Sequence, residues 1–242
     1  ALLLGACSDG SDSKPQQPQP PEPPTPPQPQ YDFSAVDARM QQLVDETPEY
    51  TGISYILVDK EQGIVHKAAF GDHTLDDVFL LASTSKLITA SVIMAINDDE
   101  SLDFDVSETL DTYLPWEGVY NDVTTESLLS NTSGIPGTEL WTAEFLSHPH
   151  VCVTDPSTTL EECAEAIYAN ILEPTVPPGT RFSYGGTQWQ LAGGVAEVVT
   201  NSTWNQAFAK YIGQPCGLDL MEYGNPGYDL TIPGLDVGTW PG

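Results

Sequence analysis

Basic residues are scarce in this 242-residue chain: Lys and Arg together number 7 against 35 Asp and Glu, for a formal net charge of -28. Over a screening length of about 8 Å at physiological salt, such a surface repels phosphate backbones and anionic headgroups. Nucleic acid is therefore not an expected partner, and the same charge suits solubility at high salt. No Gly-x-Ser-x-Gly elbow occurs, which removes the usual scaffold of a Ser-His-Asp hydrolase. Neither a Gly-x-Gly-x-x-Gly run nor a P-loop is present, so no nucleotide cofactor is expected. Histidines number only 4. His66 and His73 flank a predicted strand and its turn, where a solvated or capping role is expected. The pair in His148-Pro149-His150 has no helix to orient two ring ligands, so a surface loop is expected there and no metal site.

What is present begins with a short apolar start, Ala1-Leu2-Leu3-Leu4-Gly5-Ala6-Cys7, too short to span a bilayer. It resembles the lipobox that ends a bacterial lipoprotein signal peptide, with Cys7 as the lipid-bearing residue. Residues 1–7 are then a signal remnant and 8–30 a linker, because Pro15 to Gln30 is almost entirely Pro and Gln and favours extended polyproline II. An exported protein held to a bacterial membrane only through its lipid, facing periplasm or exterior, is the expectation. Export implies an oxidising compartment, in which Cys152 and Cys163 are candidates for a disulfide while Cys216 stays a buried thiol. The sequence leaves that pairing open.

From Tyr31 to Gly242 the composition is globular. Val36, Met40, Leu43 and Val44 predict an amphipathic helix. Ile53 to Asp59 and Gly63 to Phe70, separated by Lys60-Glu61-Gln62, predict a β-hairpin. From Ser83 the period changes: Ile88, Val92, Ala95 and Ile96 mark one face of a buried helix ending near Asn97-Asp98-Asp99. Further helices are predicted around Leu128-Leu129, from Ala164 to Leu172 and from Leu191 to Val199. Strands first and helices after give an α+β layered domain. A two-stranded sheet is marginal alone, so its partners are expected outside this chain.

Ser83-Thr84-Ser85-Lys86 stands where the helical pattern begins, which brings the Lys86 amine one turn from the Ser83 hydroxyl. A serine hydroxyl is a weak nucleophile until a neighbour takes its proton, and a lysine can do so. The tetrad by itself reads first as a Ser N-cap followed by a solvated lysine. Its context, Phe79-Leu80-Leu81-Ala82 before it and Leu87-Ile88-Thr89-Ala90 after it, places the lysine in an apolar helix, which is costly unless the amine has a partner.

This segment resembles the nucleophile helix of the serine beta-lactamase-related family: class C beta-lactamases, serine D-alanyl-D-alanine carboxypeptidases and beta-lactamase-like esterases. Three more stretches resemble the family in the same order: Asp99 to Pro115 with its Tyr113-Leu114-Pro115, Leu128 to Pro136 with Asn131 at the usual histidine, and Pro178-Gly179-Thr180-Arg181-Phe182-Ser183-Tyr184. The resemblance implies a three-layer α/β/α domain of beta-lactamase/transpeptidase type, with an antiparallel sheet and a helical subdomain. It also implies Ser83 as nucleophile, Lys86 as base and Tyr184 as second acid-base group. Gly186 stands where the family's Tyr-x-Asn carries the asparagine that reads a substrate amide, which turns the expectation toward small esters ahead of D-amino-acid or beta-lactam amides. No Lys-Thr-Gly or His-x-Gly match follows Tyr184. The resemblance therefore implies a partial catalytic domain over 31–242 with an incomplete sheet, unable to hold a stable fold or full activity alone. A catalytically inactive, lipid-anchored binding module is the alternative.

Overall fold

The computed structural model describes residues 31–79, 81–137, 148–154, 158–221 and 223. Cys7 and the 8–30 linker lie outside them. The chain divides into two compact units between Asp77 and Val78.

The first unit is a helix and a hairpin: α1 (Ser34–Glu46), β1 (Gly52–Asp59) and β2 (Gly63–Gly71), all within a residue or two of the predicted elements. The strands pair antiparallel with Leu57 opposite His66 and Val58 opposite Ile64, so one residue of β2 is bulged out. Asp59 sets the turn by accepting the N–H groups of Glu61 and Gln62 at 2.8 and 2.9 Å. Gly63 closes it at φ +74°, a left-handed conformation that glycine adopts without steric cost. On one face, Tyr55 and His66 both hydrogen-bond Asp37 of α1, at 2.6 and 2.9 Å, and the His66 ring stacks on Phe33. His66 is thus a strut between helix and strand, not the solvated or capping group expected. The opposite face leaves Ile56, Val58 and Ile64 more than half exposed.

The second unit is helical: α2 (Ser85–Asn97), α3 (Thr125–Leu129), α4 (Leu160–Ala169), α5 (Thr187–Thr200) and α6 (Trp204–Phe208), followed by a π turn (Ala209–Gly213) and the single turn α7 (Gln214–Cys216). Its core joins Val92, Ile93 and Ile96 of α2 to Leu128 of α3, to Ile167 and Tyr168 of α4 and to Leu191 and Val195 of α5, with Leu110 and Ile135 from the connecting segments. The helices α4 and α5 cross closely because Gly194 faces Ala164, where a Cβ would collide with the alanine methyl. Thr159 caps α4 by accepting the Glu162 N–H at 3.1 Å while the Glu162 carboxylate accepts the Thr159 N–H at 2.9 Å. This capping box starts α4 four residues before the apolar run that announced it.

Cys216, expected as a buried thiol, is free and exposed, because α7 is a single turn ended by Gly217 at φ +64° on the surface. His150, expected on a surface loop, is fully buried, and its Nε2 bonds the carbonyls of Asn170 and Ile167 at 2.7 and 3.1 Å. His148 instead meets the Ile171 carbonyl at 3.0 Å. A disulfide joins Cys152 to Cys163, with Cα atoms 5.3 Å apart, and ties the 3-10 turn Pro149–Thr154 to α4.

Candidate active site

The site is built from the second unit alone. A 3-10 turn, Ala82–Thr84, leads directly into α2 and carries Ser83 at its centre, exposed. Ala82 sits at φ +44°, in the left-handed region that costs a residue with a Cβ about 1–3 kcal/mol. The second serine of the tetrad holds that geometry, since Ser85 Oγ donates to the Ala82 carbonyl at 2.6 Å and the Ser85 N–H also reaches back into the turn. One helical turn on, the half-buried Lys86 donates from Nζ to Ser83 Oγ at 3.2 Å. The lysine is therefore not a solvated helix residue.

Tyr184 comes from the segment before α5. Its ring centroid lies 4.9 Å from Lys86 Nζ, and its phenol is held below the ordinary tyrosine range. The hydrogen bond from Ser83 is the largest cause; desolvation opposes it, and the hydrogen bond and positive charge of Lys86 add smaller downward contributions. The structure thus brings all three of the predicted side chains together, the ammonium lying 3.2 Å from the serine oxygen and 4.9 Å from the centre of the phenol ring. Tyr184 is 38% exposed, so the group faces open space. A Cβ on Gly186 would meet nothing within 4 Å, so the space beside this glycine, two residues after Tyr184, is open.

The Tyr184 segment is clamped by the turn after α3. Thr132 O accepts the Gly179 N–H at 2.8 Å, and Asn131 O accepts the Ser183 N–H at 2.8 Å. Gly134 is required here twice, for its φ of +85° and because a Cβ would collide with the Val176 carbonyl. The residues missed by sequence reasoning lie in this clamp. Gln188 and Trp189 precede the helix predicted from Leu191 to Val199, although α5 begins at Thr187, and Asn131 stands out in the sequence only as a replacement for the histidine of the resembled motif. Among the described residues no group of three or more His, Cys, Asp or Glu side chains is arranged to hold a metal ion.

Hairpin first, helical bundle after, and a serine at the lip of the buried helix define a beta-lactamase/transpeptidase-like fold whose sheet is left open. A family model described as Beta-lactamase matches residues 40–229, and the chain belongs to that family. Among curated proteins it is 29% identical over 159 residues to penicillin-binding protein 4 of Amycolatopsis lactamdurans, covering 64% of this chain and 39% of that protein. It is 27% identical over 221 residues to the lovastatin esterase of Penicillium rubens, covering 78% of this chain and 52% of that one. A penicillin-binding protein homologue from Pyrococcus abyssi, solved as an octamer, shares the fold at a TM-score of 0.58 and 21% identity, over 78% of this chain and 44% of that one. The chain thus spans about half or less of the length of these relatives.

Proposed function

We propose that this chain carries the acylation machinery of a serine hydrolase that acts on small esters. The observation behind this reading is the Lys86–Ser83–Tyr184 cluster, in which one hydroxyl is hydrogen-bonded to both a cation and a phenol of depressed pKa. Ser83 Oγ attacks the ester carbonyl carbon as its proton passes to the Lys86–Tyr184 pair. The C–O bond to the leaving alcohol then breaks, and the pair returns that proton to the departing oxygen. Water next adds to the Ser83 acyl-enzyme, the same pair takes its proton, and Ser83 leaves as the free hydroxyl with release of a carboxylic acid. The positive charge of Lys86 stabilises the phenolate without itself needing to exchange protons at each step.

Ester specificity follows from Gly186: no side chain is there to accept or donate to a substrate amide, and the vacant space accepts acyl branches. The lovastatin esterase likeness agrees with this reading, while the penicillin-binding protein likeness names the second choice, a D-amino-acid or beta-lactam amide. The test is mass spectrometry of the full-length gene product incubated with a p-nitrophenyl ester or with penicillin. An acyl adduct on Ser83, faster with the ester and abolished in Ser83→Ala, is expected. Absence of any adduct would overturn the enzyme reading in favour of a binding module.

A further inference from the structure

The Lys86 ammonium is flanked by two aromatic faces. Besides Tyr184, the ring of Trp189 from the first turn of α5 lies 5.7 Å from Nζ, inside the range of about 6 Å over which a ring quadrupole attracts a cation. The indole is itself anchored: its Nε1–H donates to Asn131 Oδ1 at 3.0 Å, and the same oxygen accepts Gln188 Nε2–H at 3.1 Å. Both neighbours are N–H donors, which fixes the orientation of the Asn131 amide.

Asn131 is a firm anchor for three reasons. It is buried, its backbone is left-handed at φ +56°, which asparagine tolerates better than most residues, and its N–H closes the end of α3 on Leu128 O at 3.1 Å. Its carbonyl meanwhile holds Ser183, the residue before Tyr184. Gln188 completes the network by donating to Ser183 O at 2.6 Å and accepting from Ser133 Oγ at 2.7 Å, all of it buried. One side chain and one carbonyl of a single residue therefore set both aromatic walls around the ammonium.

We propose that Asn131 and Trp189 are positioning residues: Asn131 fixes the indole, and the indole face holds the Lys86 ammonium against the Tyr184 phenol. The consequence for acyl transfer rests on the function proposed above, but the geometry can be tested without it. Lys86 is the charged side chain that acts on the Tyr184 phenol among the described residues. Loosening it withdraws one of the causes that depress that phenol, so the phenol should titrate at higher pH.

The experiment is an ultraviolet difference titration of the full-length protein, with Tyr184→Phe marking the signal. Trp189→Leu, which removes the ring face, is expected to move the Tyr184 titration up. Trp189→Phe, which keeps a face but loses the anchor, should move it less. Asn131→Ala should shift it in the same direction, and combining it with Trp189→Leu should add little further. Ser83 labelling by an activated ester should slow about fivefold in Trp189→Leu, with its acid limb displaced to higher pH. An unmoved Tyr184 titration in Trp189→Leu overturns the proposal. If wild-type Ser83 takes no label at all, the hydrolase reading fails while the titration still decides the positioning.

Discussion

The two units of this chain are built to different standards of burial. Between Ser34 and Gly71 no residue is fully buried, and one hairpin face presents Ile56, Val58 and Ile64 to solvent. From Val78 onward a continuous core runs through α2, α4 and α5, with Val92, Ile93, Ile167, Tyr168 and Leu191 wholly enclosed. The difference teaches where reactive geometry can be fixed. Ser83, Lys86 and Tyr184 all belong to the enclosed unit, where packing on one side and the Asn131–Gln188 network on the other hold side chains within hydrogen-bond reach. A half-packed hairpin offers no comparable support.

Truncating the core is the strongest way to sharpen that contrast. Ile167→Ala removes most of a side chain with no exposed surface and should destabilise the full-length protein by about 2–5 kcal/mol, read from its urea midpoint. Next in size is an acid effect on the same unit. Burial pushes the His150 imidazole down to about 4, against a smaller upward pull from the Asn170 carbonyl, and its Nδ1 has no partner among the described residues. The unfolded chain binds that proton near pH 6.5 and the folded chain only near 4, so stability falls as pH drops through this window. At about 1.36 kcal/mol per unit, roughly 3 kcal/mol is lost between those limits. A variant such as His150→Gln should flatten this part of the stability curve, as melts at pH 7 and pH 4.5 would reveal; an unchanged slope would refute the assignment to His150. The smallest effect belongs to the open hairpin face. Ile56→Ser, at a position 55% exposed, should change stability by no more than about 0.5 kcal/mol. A loss as large as that of Ile167→Ala would abolish the contrast between the units.

Much of this was legible in the residues because it is local. The hairpin followed from two runs rich in β-branched and aromatic residues separated by three polar ones, and α2 from apolar spacing after Ser83. The Ser83–Lys86 reach followed from one turn of helix. What escaped was non-local or polar. Helix α4 begins earlier than its apolar run because a threonine and a glutamate cap it, a polar signal in Thr159-x-x-Glu162 that hydrophobic periodicity does not carry. His150 looked like a loop residue because a buried imidazole has no pattern in sequence; its place depends on carbonyls about 20 residues away. Cys216 showed the reverse error, since a cysteine's tendency to be buried says nothing about whether its turn faces the core. The left-handed Ala82 has no local signal at all, for alanine does not favour that conformation.

The amino-acid order alone determined which chemistry was available: one lysine a helical turn from a serine, a tyrosine behind a Pro-Gly turn, and a glycine two residues after that tyrosine. Only the tertiary structure decided that the phenol and the ammonium share one hydroxyl, and that Trp189 and Asn131 stand behind them. Those relations join side chains some 50 to 100 residues apart, on α2, on the turn after α3 and on the segment that leads into α5. Such distances are set by how cores pack, and no periodicity along the chain encodes them.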